Sequence, residues 1–454
     1  MTQVIVIAYH FPPSTAVGGL RSYKVARALW AAGYDVHVIA ATPSGQQSGT
    51  REILPGLVVE LVKPWTSPRW WYVNLKRRIF PGRPEPAEST AGGPVSIAGP
   101  VRPVARLKRW ISALLWLPDD KQGFIPVAVI AGLRARRAGG KVLYTSAPPF
   151  STHLAGLALH FVTGLPWVIE FRDPWTDSHF RSATQRSRWT SIIERWLERQ
   201  CLRRSALVVS VTEGIHRLLA SKLPASASPK FMVTRNGIPA LRAPSARPGI
   251  RRPPRVVYVG SFYHARDPFP FLESLAAFLA SRELNATRLQ VDLIGDCRTF
   301  NGWSVAERAA RLGLSDVVRI WDWVPHAEAQ AAIDSASLLL LLAQDQPAQV
   351  PNKLYDYLGS RIPILAYVDQ EGESAWMLRE VGGHFLVTQS AASGAEDALA
   401  SILGLSAIPH LPPDDRLESW TTDRQMAGLV DAVATRSGVL PAHPARSASA
   451  PPTG

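Results

Sequence analysis

Cysteine and long apolar runs are scarce in this sequence, and both absences narrow the class of protein that it encodes. Cys201 and Cys297 are the only cysteines in 454 residues, so the sequence indicates neither a disulfide framework nor a cysteine metal site. The longest apolar run, ASLLLLLA at 336–343, is far shorter than a bilayer span and suits a buried parallel strand. The opening residues MTQVIVIAYH lack the basic stretch of a secretory signal. We therefore expect a soluble cytoplasmic chain.

Acidic residues are outnumbered, with 36 Asp and Glu against 50 Lys and Arg and a net charge of +14. Basic residues mix with tryptophan over 69–110, which holds nine Lys/Arg against two Glu, and over 181–204, which holds seven Arg against two Glu. Such mixtures suit an anionic membrane surface. A merely solvated, arginine-rich surface explains them equally well. Nucleic acid is disfavoured as a partner, because no nucleic-acid-binding module is readable.

Strand-like and helix-like segments alternate along most of the chain. Apolar strands are predicted at 3–9, 34–40, 142–147, 167–171, 206–212, 255–261, 290–296, 317–324, 336–343 and 361–368. Helices are predicted at 20–32, 123–138, 151–163 and 188–204. Repeated β-α-β units with such apolar strands predict parallel sheets with helices on both faces.

The predicted helix at 188–204 is amphipathic. Its spacing places one set of apolar residues on a single stripe: Ile192, Ile193, Trp196, Leu197 and Cys201. The charged residues fall mostly elsewhere: Glu194, Arg195, Glu198 and Arg199.

A linker divides the chain into two α/β parts. Residues 240–254, ALRAPSARPGIRRPP, interrupt the alternation with Pro, Gly and Arg. We predict a first doubly wound domain at 1–239 and a second at 255–409. The remaining predictions are a flexible insertion at 81–103, a C-terminal helix at 410–439 that can return to the first domain, and a disordered tail at 440–454.

Gly18 and Gly19 follow the first strand and begin the first helix. In a doubly wound sheet, ligands bind where strands end and helices begin, and bare N–H groups at such a helix start can receive a phosphate. Neither GxGxxG nor GxxxxGK[ST] occurs there, which disfavours nicotinamide cofactors and P-loop chemistry. A plain tight turn remains the alternative.

The second part offers charged residues at comparable places. One strand ends in Gly260-Ser261 with Arg266 soon after it, and Lys353 and Asp356 lie three residues apart on a predicted helix. Lys353 and Asp356 could form a local ion pair. Facing a cleft, the ammonium could instead bind a diphosphate and the carboxylate a ribose.

Eight motifs stand in a recognisable order: AYHFPPSTAVGGLRSYKVARAL at 8–29, LPDDKQGF at 117–124, TSAPPFSTHLAG at 145–156, IEFRDPWTD at 169–177, RNGIP at 235–239, YVGSFYHARDP at 258–268, WVPH at 323–326 and NKLYDYLGSRIPILA at 352–366. Together they resemble the bacterial glycosyltransferases of family four. The resemblance covers residues 3–437 and implies the GT-B architecture, in which two Rossmann-like domains face each other across a cleft.

The resemblance implies roles for several of these residues. Gly18 and Gly19 would approach the donor diphosphate and the acceptor, and Arg266 and Lys353 would neutralise the diphosphate as the sugar leaves. His153 would lie near the transferred sugar, although a satisfied helix histidine is the alternative.

Two further implied roles concern the acceptor and the nucleoside. Arg172 and Asp173 would shape the acceptor side, or form a buried structural pair. The backbone at Trp323 and Val324 would receive the base, and Asp356 matches the second carboxylate of the family's paired-glutamate motif, which holds the ribose.

The first carboxylate of that motif is missing. Ala348 stands eight residues before Asp356, and Asp345 is out of register. That carboxylate usually meets the hydroxyls of the transferred sugar, so the identity of the donor sugar is in doubt.

The implied activity is retaining transfer of a sugar from a nucleoside diphosphate sugar to a glycan, a glycolipid or another hydroxyl acceptor, in the synthesis of a cell-surface polysaccharide. No metal or other cofactor is expected, since Asp119-Asp120 lacks the DxD spacing. The enzyme would be cytoplasmic, or peripheral on the inner face of the cytoplasmic membrane. Two alternatives stay open: a nucleotide-sugar epimerase on the same scaffold, and a non-catalytic scaffold protein that binds a nucleotide sugar.

Overall fold

A computed structural model describes residues 3–14, 17–66, 117–177, 188–239, 241–242, 253–263, 266–284, 288–388, 393–407, 409 and 413–446. The predicted insertion at 81–103, the basic segment at 69–110, most of the linker and the last eight residues lie outside the described residues. The described chain divides into two compact units. Unit 1 runs up to Arg235 and resumes at Gln425, and unit 2 runs from Asn236 to Arg424.

Unit 1 is a mostly parallel α/β unit. Its strands are β1 (Gln3–Ala8), β2 (Asp35–Ala41), β3 (Gly49–Leu54), β4 (Leu57–Val62), β5 (Gly140–Ala147), β6 (Trp167–Phe171), β7 (Leu207–Ser210) and β8 (Phe231–Val233). Its first helices are α1 (Val17–Ala31), α2 (Phe124–Arg137), α3 (Ser151–Thr163), α4 (Arg188–Arg204) and α5 (Glu213–Ala220), followed by a 3-10 helix (Ala225–Lys230). The strand order is β3-β4-β2-β1-β5-β6-β7-β8, and β3 is the antiparallel edge strand.

Unit 2 has the strand order of a Rossmann sheet. Its strands are β9 (Arg255–Val259), β10 (Gln290–Ile294), β11 (Thr299–Phe300), β12 (Trp303–Ser304), β13 (Val318–Trp321), β14 (Leu338–Ala343), β15 (Ile364–Val368) and β16 (Phe385–Val387). Its helices are α6 (Phe269–Ser281), α7 (Val305–Arg311), α8 (His326–Asp334), α9 (Asn352–Ser360), α10 (Glu373–Val381), α11 (Gly394–Ile402) and α12 (Asp414–Glu418). The six-stranded parallel sheet reads β13-β10-β9-β14-β15-β16, while β11 and β12 form a separate hairpin. Two doubly wound parallel sheets confirm the predicted fold class.

Helices cover both faces of the sheet in unit 1. On one face, α2 and α3 pack over β1, β5 and β6, with Phe124 and Leu159 fully buried. The other face is covered by α1 and by the last helix of the chain, α13 (Thr422–Ser437), through Leu29, Leu429 and Val433. The residues of α13 from Gln425 onward belong to unit 1. Apolar strands buried on both faces are what this layering requires.

The β3–β4 hairpin was absent from the sequence prediction. Pro55 and Gly56 connect its strands, and Gly56 has φ +83°, a conformation that favours glycine. β3 is an exposed edge strand without an apolar pattern, whereas β4 is apolar and mostly buried and was missed nonetheless.

The beginning of the predicted disordered tail is packed onto unit 1, which corrects the prediction for residues 440–446. Arg446 donates to the carboxylate of Asp35 at 2.9 Å and to the carbonyl of Tyr34 at 3.0 Å, and the backbone N–H of His443 donates to the carbonyl of Gly33. The Pro- and Ser-rich composition did not reveal these hydrogen bonds, because their partners lie about four hundred residues earlier.

Helix α4 occurs as predicted, but its apolar stripe does not face the core as a whole. Cys201 is fully buried, whereas Ile192 and Trp196 are exposed. Glu194 and Glu198, expected away from the apolar stripe, are 5% and 0% exposed. Thr176 and Lys222 hydrogen-bond the Glu198 carboxylate inside the unit, and such long-range partners are invisible to periodicity.

Among the described helices, none is both long enough and apolar enough to cross a bilayer.

Candidate active site

Unit 2 has a topological switch point between β9 and β14, the neighbouring strands from which the chain winds in opposite directions. Ligands of doubly wound sheets bind at the carboxyl ends of the strands beside such a point. Gly260 directly follows β9, and Lys353 lies in the first turn of α9, which follows β14. A β-carbon at position 260 would lie 2.5 Å from the Lys353 Nζ atom, and Gly260 has φ +140°. The backbone conformation therefore favours glycine here, and a β-carbon would in addition displace the Lys353 ammonium.

The Lys353 ammonium is buried and unpartnered. Its Nζ atom lies 3.8 Å from the centre of the Tyr258 ring, and among the described residues it has no hydrogen-bond partner. Burial lowers the pKa of Lys353 well below its usual value, the positive charge of Arg266 lowers it further, and Cys297 opposes the shift weakly. A buried cation without an anion is costly, so this site is suited to receive an anionic group.

Arg266 supplies a second cation near Lys353. Its guanidinium stacks on the Tyr263 ring at 4.3 Å, and its buried Nε atom also has no hydrogen-bond partner in the described part of the chain. Cys297 donates from its thiol to the Gly260 carbonyl at 3.2 Å, and burial raises its pKa to about 12. Cys297 therefore supports the glycine turn as a neutral thiol.

The other predicted residues of unit 2 lie on nearby elements. The carbonyl of Ser261 accepts from the Tyr258 hydroxyl at 3.0 Å, and Asp356 lies one turn after Lys353 on α9. Trp323 and Val324 follow β13 at the same carboxyl edge of the sheet. Trp323 is 71% exposed, whereas Val324 is half-buried against the apolar core.

The position of the missing carboxylate falls in the turn between β14 and α9. Ala348 occupies it, and Asp345 has φ +52°. The backbone N–H groups of Asp345 and Gln346 both donate to the Asp369 carboxylate, at 3.0 and 2.7 Å. The turn is therefore anchored by its backbone to Asp369.

In unit 1 the switch point lies between β1 and β5, and Gly18 and Gly19 begin the helix after β1. Arg172, directly after β6, donates from Nε to the Ala147 carbonyl at 3.2 Å and from its two terminal nitrogens to the carbonyls of Gly18 and Pro148. Its guanidinium thus ties the segment after β6 to the segments that follow β1 and β5 at the carboxyl edge of the sheet.

The same contact accounts for Gly18, because a β-carbon there would lie 2.5 Å from the Arg172 guanidinium. Gly19 lies against the backbone of Phe11. Burial lowers the pKa of Arg172, while the charges of Glu170 and Asp173 oppose that shift. Arg172 is well placed to hold the Gly18 loop, which is a positioning role.

His153 lies in the core of unit 1. It is 0% exposed, its ring packs 4.7 Å from the Phe171 ring, and its Nδ1 atom pairs with the Thr145 hydroxyl at 3.0 Å. Burial lowers the pKa of His153 well below 6.5, and the Arg172 charge lowers it further. His153 is therefore neutral near pH 7, and its predicted contact with a sugar stays a prediction.

Sequence reasoning missed a buried charge network beneath the Gly18 loop. Arg21 donates to the Glu170 carboxylate at 3.0 and 2.7 Å, and the Ser146 hydroxyl donates to it at 2.6 Å. Burial pushes the pKa of Glu170 up, but the Arg21 charge and the Ser146 bond outweigh it, so the pKa is lowered. The signal was a single glutamate in the otherwise apolar strand WVIEF.

Comparisons with known proteins bear on both units. The fold is shared with sucrose-phosphate synthase from Thermosynechococcus elongatus at a TM-score of 0.56 and 16% identity, covering 96% of this chain and 98% of that one. It is also shared with α,α-trehalose 6-phosphate synthase from Burkholderia multivorans, at a TM-score of 0.61 and 10% identity, over 96% of this chain and 99% of that one. Anabaena HepE, solved in complex with UDP, matches at a TM-score of 0.53 and 12% identity, over 96% of this chain and 97% of that one.

Residues 18–237 match the family model of the glycosyl transferase 4-like domain. They form a glycosyl transferase 4-like domain. The resemblance predicted from the sequence is confirmed, and so is the GT-B fold. A search among curated proteins found no match.

The matched residues include Gly18, Gly19, His153, Arg172 and Asp173. Lys353, Arg266 and Gly260 lie in unit 2, outside the matched residues. Within the described residues, no group of three or more His, Cys, Asp or Glu side chains is arranged to hold a metal ion.

Proposed function

We propose that this glycosyltransferase takes its sugar from a nucleoside diphosphate sugar, and that the diphosphate binds in unit 2 between Gly260, Lys353 and Arg266. The observation that carries the proposal is the buried Lys353 ammonium, which has no partner among the described residues. It lies in the first turn of α9, where the helix dipole also favours an anion. A diphosphate would supply the missing counter-charge.

The cations act most strongly when the donor bond breaks. Glycosyl transfer passes through an oxocarbenium-like state while negative charge builds on the departing nucleoside diphosphate. Lys353 and Arg266 would stabilise that charge as it develops, in a site where water is scarce and electrostatic effects are large. This assignment requires no metal ion at the diphosphate.

The remaining parts of the donor would extend from this point. We assign the ribose to Asp356, one turn further along α9, and the base to the backbone at Trp323 and Val324. Ala348 replaces a carboxylate that the family uses for sugar hydroxyls, so the transferred sugar would be held by other groups. The turn that Asp369 anchors is a candidate for this contact.

The acceptor would be bound by unit 1, at the loop formed by Gly18 and Gly19 and shaped by Arg172 and Asp173. We propose a hydroxyl of a glycan or glycolipid as the acceptor, in the synthesis of a cell-surface polysaccharide. Retention of the anomeric configuration follows from the family resemblance, with attack on the face that the leaving group vacates. We assign no carboxylate nucleophile.

The test begins with a thermal-shift screen of nucleoside diphosphates and their sugars. A ligand at about a hundred times its Kd stabilises the folded state by about 2.7 kcal/mol, so a preferred nucleotide stands out. With the preferred donor, release of free nucleoside diphosphate and NMR of the product anomer then establish transfer and its stereochemistry.

The two alternatives make different products. An epimerase would return a modified nucleotide sugar without releasing nucleoside diphosphate. A non-catalytic scaffold would bind the nucleotide sugar without consuming it. The proposal is wrong if no nucleoside diphosphate or nucleotide sugar raises the melting temperature.

A further inference from the structure

Helix α4 of unit 1 carries an exposed stripe that the proposed chemistry does not use. Its members are spaced by three and four residues and so lie on one face of the helix: Trp189, Ile192, Trp196, Arg199 and Arg203. Trp189, Ile192 and Trp196 are 60%, 50% and 58% exposed. Large apolar side chains repeated along an exposed stripe mark an interaction surface.

The charges on α4 are sorted by sign. Glu194 and Glu198 point into unit 1, where Lys222 donates to the Glu198 carboxylate at 2.6 Å. Among the described side chains of α4, the exposed charged ones are all arginines, namely Arg195, Arg199 and Arg203. The outer face therefore combines bulky apolar side chains with positive charge alone.

The surface continues onto the neighbouring helix. The carboxyl-terminal end of α3 exposes Phe161 and Val162, at 61% and 69%. The Arg204 guanidinium of α4 stacks on the Phe161 ring at 4.6 Å, which joins the two helices into one face. We call Trp189, Ile192, Trp196, Phe161 and Val162, with the arginines beside them, the α4 face.

We propose that the α4 face docks unit 1 onto an anionic lipid bilayer. Tryptophan and arginine suit the membrane–water interface, because the ring enters the headgroup region while the guanidinium pairs with lipid phosphates. Charge complementarity favours this occupant: the face offers positive charge only, and the chain carries +14 overall. Each arginine near an anionic surface strengthens partitioning by about fivefold. The inference deepens the proposed function by naming the surface on which the acceptor is met.

The experiment is sedimentation of the full chain with vesicles, comparing phosphatidylglycerol mixed into phosphatidylcholine with phosphatidylcholine alone. We expect binding to the anionic vesicles only, weakening as salt is raised. The variant Arg199→Gln/Arg203→Gln should bind about 25-fold more weakly, since two fivefold contributions are lost. Trp189→Ser/Trp196→Ser should lose most of its binding at any salt concentration.

Trp303→Ser is the matched control, because Trp303 is 64% exposed but lies in unit 2. It should bind vesicles like the unaltered chain. Far-UV circular dichroism and nucleotide-induced thermal shifts on the same preparations show that each variant is folded. They also separate the two proposals, because a variant that loses vesicle binding should still be stabilised by nucleotide.

Three results would overturn the inference. The unaltered chain could fail to bind anionic vesicles. The variants could bind as well as the unaltered chain, which would place any membrane contact elsewhere. Analytical ultracentrifugation could show a dimer that the tryptophan variant abolishes, which would make the α4 face a protein interface.

Discussion

Replacing Lys353 with methionine separates two effects that usually change together, ligand affinity and stability. Methionine has a similar length, stays in contact with the Tyr258 ring and carries no charge. In the unliganded protein, the Lys353 Nζ atom is buried without a hydrogen-bond partner in the described part of the chain. Its removal should therefore help the empty protein and harm the liganded one.

The magnitudes follow from these contacts. A hydrogen bond to a charged group contributes about 1.5–3 kcal/mol. Because about 1.4 kcal/mol corresponds to a tenfold change in a binding constant, the loss of this bond should weaken nucleotide affinity about 10- to 150-fold. An unsatisfied buried donor costs about 1–3 kcal/mol, so the free energy of unfolding of the empty protein should rise by a comparable amount. For a domain of this size, each kcal/mol raises the melting temperature by about 2–4 °C.

Lys353 should make both the stability of the empty protein and its nucleotide affinity depend on pH. Burial holds the pKa of Lys353 well below its value in the unfolded chain, so the unfolded chain binds more protons between those two pKa values. The stability contribution of this group therefore increases as pH rises through that window. A bound anion should raise the pKa of Lys353, so nucleotide binding should take up protons at pH values between the pKa of the free amine and that of the liganded amine, and the nucleotide affinity should weaken as pH rises across that window.

Calorimetry of nucleotide binding in two buffers of different ionisation enthalpy measures the proton uptake, and thermal melts of the empty protein measure stability. Lys141→Met is the control, since Lys141 is exposed on β5 and should affect neither quantity. Unchanged nucleotide affinity in Lys353→Met, or a lower melting temperature of its empty form, would refute the reasoning.

Three further predictions concern both units. Arg172→Met removes three side-chain hydrogen bonds to backbone carbonyls and should lower the free energy of unfolding by about 3 kcal/mol or more in urea titrations; a loss below about 1 kcal/mol would contradict the positioning role. Gly260→Ala should weaken nucleotide binding at least about tenfold through strain and collision, whereas Gly302→Ala, also at positive φ but with open space around it, should not. His153→Ala should slow transfer far more than it weakens nucleotide binding. Because burial holds the pKa of His153 well below its usual value, titration of this side chain should produce no inflection in kcat around neutral pH in the unaltered enzyme.

Much of the fold was predictable because most buried parallel strands are visible in the sequence as short apolar runs. The strand WVIEF was predicted at its observed limits, 167–171, and the other predicted strands agree within a few residues. Such strands are apolar on both faces and bounded by polar turns, so composition alone located most of them, although the buried strand Leu57–Val62 was missed. The exposed edge strand Gly49–Leu54 has no such pattern and was missed.

The candidate site was predictable as residue types and less so as contacts. Gly260 and Lys353 were both singled out, but their contact joins the turn after β9 to the first turn of α9, which lies 93 positions later in the chain. Arg172 was singled out as a site residue, but the three backbone carbonyls that accept its hydrogen bonds were not predicted. Hydrogen bonds to backbone leave no trace in the sequence of their acceptors.

Helix α4 shows a limit of periodicity. The pattern located the helix and sorted its residues into stripes, but it could not tell which stripe faces inward. Lys222 and Thr176, which lie on other elements, neutralise and bond Glu198 in the interior, and this leaves the tryptophans outside. The tertiary contacts of Glu198 therefore determine which face of α4 is buried.

The layout of unit 1 along the chain has a consequence for synthesis and for dissection. Its sheet comes from the first 235 residues, but Met426, Leu429 and Val433, which close one side of its core, leave the ribosome after all of unit 2. During translation unit 2 can fold first as a continuous stretch, while the nascent first unit keeps an apolar strip uncovered. A fragment ending at Arg235 should therefore aggregate, and a minimal soluble version would need residues 425–437 joined back to it.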